Sequence, residues 1–255
     1  MAVPVTIAAD VADLAVGITE SLDVQLQPSG EELRAYCQDV VQRSLAQGLR
    51  GGEERRNAVR QLLRSGGYKP SGRNKPAQEY LLRTITEESS LPNILNAVDL
   101  INAVSLDCGL PISLIALNRG DNHGSGAAAP QQEPAPVGPS CASDTQQASS
   151  WLTRLTLRYG RSGECYTFNR TGQDLNVHGL ICLCGGAAEV PLGTPVKDSL
   201  LAKVVEQDRH VVACIYAPRS VVSGDELHAW SRRLGEGLVQ WCGASAFDSR
   251  IVPDR

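Results

Sequence analysis

The chain has 255 residues, of which 42% are hydrophobic and 4% aromatic, so it can bury a core of Leu, Val, Ile and Ala without covalent staples. Its formal net charge of −4 excludes a protein whose whole surface wraps nucleic acid, because such a surface must neutralise many phosphates. Eight cysteines occur without a C-x-x-C pair and four histidines are scattered, so neither a metal site nor a bound cofactor is expected.

The opening "MAVPVTIAAD" has neither the charged start nor the apolar run of a signal peptide, and no run reaches membrane-spanning length. The expectation is a cytoplasmic chain with no membrane contact and no disulfides, its cysteines mostly small buried hydrophobes. Residues 1–28 read as strands and turns. In "SGEELRAYCQDVVQRSLAQGL" the apolar residues Leu33, Tyr36, Val40, Val41 and Leu45 follow helical spacing, with Ser29 as a cap. A second helix is expected from Glu53 to Leu63, stopped by Ser65-Gly66-Gly67. The loop "GGYKPSGRNK" is basic, and a short helix starts at Pro76, since proline suits the first helical turn. From Arg50 to Arg83 basic residues far outnumber acidic ones, which is either a solvated helix face or a local field for a phosphate-bearing ligand.

"NILNAVDLINAVSLDCGLPISLIAL" is expected to form a helix ending near Gly109 and then a strand. Residues 119–150 are rich in Gly, Ala, Pro, Ser and Gln and cannot bury enough apolar surface to order themselves, so they read as a flexible low-complexity segment. "WLTRLTLRYG", "GLICLCGG" and "HVVACIYA" read as strands. Periodicity does not decide between helix and extended chain for "VKDSLLAKVVEQ". "SGDELHAWSRRLGEGLVQWC" is an amphipathic helix with Ser223 as cap and Glu226 completing a capping box. The fold class expected is α/β (α+β), a mixed β-sheet with flanking helices.

Several chemistries are absent as motifs: no P-loop, dinucleotide fingerprint, nucleophile elbow or H-E-x-x-H occurs. "SGRNK" combines Gly72, which allows close approach, with Arg73 and Lys75, and so has the composition either of a phosphate-gripping turn or of an ordinary exposed loop. Asn96, Asp99 and Asn102 share a broad helix face within an apolar segment. Helix interiors disfavour such residues unless they tie backbone together or meet a ligand, and spacing alone favours the tie.

"YKPSGRNKPAQEYLLR", "LPNILNAVDLINAVSLDCGLPI", "SGECYTF" and "PVKDSLLAKVVEQDRHVVACIYAP" resemble the standalone B3/4-domain family. The likeness runs from about Glu31 to Pro218, and the pattern VDL-x-NAVSL-x-x-GLP is its most specific part. The related domain of the bacterial phenylalanyl-tRNA synthetase β subunit hydrolyses mischarged tyrosyl-tRNA. The resemblance implies a mixed sheet with a pocket beside the NAVSL helix, lined by Asn102. It places Ser113 where the synthetase carries histidine, and Glu189, in "GGAAEV", nearest to its side-chain-reading acid. "LIALN" stands where an Asp-Leu is usual. In the family the segment after GLP runs directly into a strand pair, so the resemblance implies that residues 119–150 are an insertion within a single domain spanning 1–255.

The function expected from the resemblance is binding of an aminoacyl-tRNA and hydrolysis of its mischarged ester in trans. Lys69, Arg73 and Lys75 would meet the tRNA 3′ end, Asn102, Ser113 and Glu189 would be catalytic, and Asp99 would help hold the amino-acid moiety. A homodimer is compatible with this. A second reading keeps the scaffold but condenses an aromatic amino acid with an aldehyde (Pictet–Spengler type), with Asp99 or Glu88 as acid–base group and Arg73 on the substrate carboxylate. A third is a non-catalytic RNA- or ligand-binding module.

Overall fold

The computed structural model describes residues 2–117 and 154–253. The 119–150 segment read as an insertion lies outside the described residues. Among them the fold is α+β, with five α-helices and a sheet of mixed strand direction.

One four-stranded sheet has the order β10-β2-β9-β3 and is antiparallel throughout. Its strands are β2 (Leu14–Leu22), β3 (Ile112–Ala116), β9 (His210–Pro218) and β10 (Ala246–Val252). A second has the order β1-β4-β7-β8, built from β1 (Val5–Ile7), β4 (Leu155–Tyr159), β7 (Ile181–Gly185) and β8 (Val190–Gly193). Here β1 runs parallel to β4 while the remaining pairs are antiparallel, which makes the sheet mixed. A short hairpin pairs β5 (Cys165–Thr167) with β6 (Asp174–Asn176).

The run "HVVACIYA" is apolar without alternation because β9 is buried on both faces. Val212, Cys214 and Tyr216 pack with Val16, Ile18, Leu155 and Leu183 between the two sheets. Val211, Ala213, Ile215 and Ala217 point the other way, toward Leu100, Leu227 and Leu234. Those leucines belong to α4 (Asn96–Cys108) and α5 (Gly224–Cys242), so the layers run helix, sheet, sheet. A separate apolar cluster joins α1 (Glu31–Gln47) and α3 (Ala77–Glu88) to α4 through Val40, Val41, Leu81, Ile85, Ala103 and Leu106. α2 is Gly52–Arg64.

The helices sit where the apolar spacing puts them, but their ends differ in detail. Ser29 does not cap α1: Gly30 holds the N-cap position, and the Ser29 hydroxyl is drawn 70 residues away to Asp99. α5 is capped as its sequence implies, Glu226 N–H donating to Ser223 Oγ at 3.1 Å. The undecided "VKDSLLAKVVEQ" is neither helix nor strand but a bent loop pinned by the side chains that flank it, Thr194 before and Asp208 after. Cys165 is disulfide-bonded, against the expectation of thiols throughout. It lies half-buried on a hairpin strand. The other six cysteines among the described residues are free. No described helix is long and apolar enough to cross a membrane.

Candidate functional site

The residues singled out from the sequence fall into separate places. Asn96 is fully buried and tied on every side. Its Nδ2 donates to Gln25 O (2.9 Å) and Trp241 O (3.1 Å), and its Oδ1 accepts from Ala97 N–H and Gln27 N–H. Asp99 is likewise occupied: Ser29 Oγ donates to one oxygen at 2.5 Å and Ile94 N–H to the other at 2.9 Å. Burial pushes the Asp99 carboxyl up, and these donors hold it back. A cavity of about 150 Å3 is lined by Ser29, Cys37, Asn93 and Asp99, but burial pushes the Cys37 thiol to about 12, so it offers no nucleophile at neutral pH. Asn102 is half-buried on α4 with no side-chain hydrogen bond among the described residues.

Glu189 sits in the β7–β8 turn with φ 52° and pairs with Arg158 (3.3 Å) and Arg161 (2.6 Å). Arg158 also grips Glu164 through two bonds of 2.8 Å, so Glu189 belongs to an ion-pair network on the outer sheet. Glu88 ends α3 and is exposed, while Arg73 lies in the turn before that helix. Twelve helical residues span about 18 Å, too far for the two to serve one substrate centre. Lys75 lines a cavity of about 270 Å3 with Arg56, Arg60 and Glu79, where Arg60 and Glu79 form a bidentate pair.

Ser113 and Arg73 lead elsewhere, to the loop between β8 and β9. Ser113 is fully buried on β3; its Oγ donates to Thr194 O at 3.1 Å and lies 3.0 Å from the Tyr216 hydroxyl. Asp198 closes over it. Leu114 N–H donates to one carboxylate oxygen at 3.1 Å, while the other is enclosed with no hydrogen-bond partner. That oxygen and Ser113 Oγ each lie 2.9 Å from where a Cβ on Gly193 would stand, so only glycine lets β8 approach this closely.

Burial raises the Asp198 carboxyl to about 6, against the pull of the Ser113 hydroxyl, the Leu114 N–H and the Lys203 charge. The Tyr216 and Tyr166 phenols are pushed well up by burial, so both stay protonated at neutral pH. Tyr166 Oη reaches Lys197 O (2.5 Å) and Thr194 Oγ1 (3.1 Å), fixing the turn that carries Asp198. Tyr68 adds a buried hydroxyl with no partner, raised to about 12 by burial, and its phenol interacts electrostatically with that of Tyr166.

Positive charge gathers on the same loop. The Lys197 ammonium stands 3.8 Å from the centre of the Phe168 ring, and Lys203 Nζ donates to Phe168 O at 2.6 Å. Burial, and after it the Arg73 and Lys203 charges, depress the Lys197 ammonium below its ordinary value. Lys69, exposed, follows Tyr68 directly in the chain. The structure therefore brings Arg73 and Ser113 to the β8–β9 loop, and leaves Asp99 and Glu189 engaged in other networks.

Asp198, Tyr216, Tyr166, Tyr68, Thr194 and Lys197 were not singled out from the sequence. One signal was available: an aspartate within "VKDSLL", in the segment where periodicity does not decide between helix and extended chain. The set can exchange a proton near pH 6 at Asp198 and can donate from Tyr68. Among the described residues no group of three or more His, Cys, Asp or Glu side chains is disposed to hold a metal. Comparison with family models finds no match for this chain, and comparison with curated proteins finds none either.

Proposed function

We propose that the protein hydrolyses the ester of a mischarged aminoacyl-tRNA in trans, and that the reaction is carried out in the pocket around Asp198. The observation that carries this reading is an enclosed carboxyl, raised by burial to about 6, on a loop that also carries Lys197 and Lys203, with the Arg73 charge acting on Lys197. An aminoacyl ester is already activated, so its hydrolysis needs a positioned water, a base and an oxyanion donor rather than a strong nucleophile.

In this scheme Asp198 takes a proton from water as the water oxygen adds to the ester carbonyl. The Tyr68 hydroxyl, which has no protein partner to give up, donates to the developing oxyanion. The bond between the carbonyl carbon and the ribose oxygen then breaks, and the proton on Asp198 passes to that oxygen, leaving a free amino acid and uncharged tRNA. The Tyr216–Ser113–Thr194 chain holds β3, β9 and the Asp198 loop in register. Arg73, Lys197 and Lys203 attract the terminal phosphates, which reconciles ligand binding with a net charge of −4, since the field that matters is local. The condensation reading is less well supported: Asp99 is committed to Ser29 and Ile94, and Glu88 stands a helix length from Arg73.

The test is to incubate the pure protein with a panel of charged tRNAs and follow release of the amino acid. Release from at least one tRNA, abolished in Asp198→Asn, supports the reading. Release from none, with turnover of free tryptophan plus an aldehyde, overturns it.

A further inference from the structure

We propose that the cavity between α1 and the α3–α4 turn binds a small free α-amino acid, its ammonium on Asp99 and its carboxylate on Arg34. The cavity shares no lining residue with the Asp198 region, and the proposal does not rest on ester hydrolysis there.

The cavity measures about 150 Å3, and Asp99 and Arg34 both line it, with Ser90 and Asn93 as polar neighbours and Val41 and Leu91 as apolar ones. Asp99 is buried in the first turn of α4, where the helix N-terminus favours its charge. That does not offset its desolvation, since the carboxyl still lies above its ordinary value. Its donors are neutral: the Ser29 hydroxyl on one oxygen and the Ile94 N–H on the other. Among the described residues no cation acts on it. An ionised carboxylate has about four acceptor positions, and these two bonds leave about two open. The group is short of a counter-charge and can still accept one.

Arg34 supplies the opposite sign. Its Nη1 donates to Ser29 O at 2.5 Å, and among the described residues it makes no ion pair. Ser29 thus ties both groups to one rim, its hydroxyl on Asp99 and its carbonyl on Arg34, yet the two charges do not pair with each other. A ligand that satisfies both carries an ammonium and a carboxylate. A simple anion would meet the Asp99 charge, and a simple cation the Arg34 charge, each with the wrong sign. Volume narrows the choice: a cavity of this size holds about six heavy atoms, as an engineered one holds benzene. Glycine, alanine and serine are of that size, while an aromatic amino acid is too large. The Cys37 thiol stays protonated and forms, with Val41, a wall suited to a short side chain. Binding here is non-covalent.

The experiment is calorimetric titration of glycine, L-alanine and L-serine, with acetate, ethylammonium and L-phenylalanine for comparison, into the wild type, Arg34→Ala, Asp99→Asn and Asp198→Asn. Expected is a Kd of about 1 mM or tighter for at least one of the three small amino acids. The comparison ligands should bind it at least about tenfold more weakly, and Arg34→Ala and Asp99→Asn should each weaken the amino acid by at least about tenfold. Asp198→Asn should leave the affinity unchanged. Arg34 is exposed, so its replacement keeps the test decisive even where Asp99→Asn fails to fold. Four results overturn the proposal: no binding of any small amino acid; equal binding of acetate or ethylammonium, which would make this a site for an ion only; affinity retained in Arg34→Ala; or affinity lost in Asp198→Asn, which would put the amino acid at the other site. No tRNA enters the titration, so its failure leaves the hydrolytic reading standing, and failure of hydrolysis leaves this site standing.

Discussion

Replacing Asp198 with Asn should stabilise the protein while abolishing its activity. The carboxyl lies between the two sheets and the β8–β9 loop with one oxygen unpartnered, and burial raises it from its ordinary 3.8 to about 6. For an acid raised on folding, the folded state binds more protons than the unfolded state between those two values. Stability therefore falls as pH rises through that window, and the full cost is present above about pH 6. At 1.36 kcal/mol per pH unit, the gap amounts to about 3 kcal/mol, an upper figure because the folded state can relax. Asparagine keeps the shape, can accept from Leu114 N–H and carries no charge to desolvate. Urea unfolding of both proteins at pH 4 and pH 8 should show near-equal stability at the lower pH and an advantage for the variant of roughly 1–3 kcal/mol at the higher one. A variant less stable at pH 8, or a difference that does not change with pH, would refute the reasoning about this carboxyl.

Asn96→Leu strands Gln25 O, Trp241 O and Gln27 N–H and should cost about 2–4 kcal/mol in chemical denaturation. Asn102→Ala, by contrast, should stay within about 1 kcal/mol of the wild type and leave ester hydrolysis unchanged; a large loss of rate would move the reacting centre to α4. Arg73→Ala should weaken tRNA binding and reduce the slope of log affinity against log salt by about 0.7, as read from binding titrations. At the acid end, burial raises the Glu20 carboxyl but His210, the Val3 N–H and Arg250 outweigh it, so its net position is below 4.5. A carboxyl lowered on folding contributes stability that is present above 4.5 and disappears as pH falls through the folded value. Glu20→Gln should therefore lose stability at neutral pH and show a flatter acid limb in pH-dependent unfolding.

Much of the helical layer was legible because its signals are local. Apolar spacing and Gly109 define α4, and Ser223 with Glu226 starts α5. The polar residues of α4 were legible as a class, and spacing favoured the backbone role that Asn96 and Asp99 have. What separates a tie from a ligand contact is the partner, and the partners are remote: Gln25 and Trp241 for Asn96, Ser29 for Asp99. The Asp198 site was largely illegible for the same reason. Ser113, Tyr216, Thr194 and Asp198 come from β3, β9 and the loop between β8 and β9, and only the register of β3 on β9, Ser113 opposite Cys214, brings the first two together. Asp198 carries no motif, and its loop has no period because it is held by Thr194, Ser199 and Asp208 rather than by a repeating backbone ladder.

The central claim is that Asp198 acts as the base in ester hydrolysis, and the pH–rate profile of a single charged tRNA tests it most directly. With the most reactive tRNA of the panel, kcat/KM of the wild type should rise with pH and level off with an apparent pKa near 6, and Asp198→Asn should fall by about 10²–10⁴-fold with that inflection gone. A profile without an inflection in that region, or an Asp198→Asn protein that keeps both rate and inflection, would contradict it.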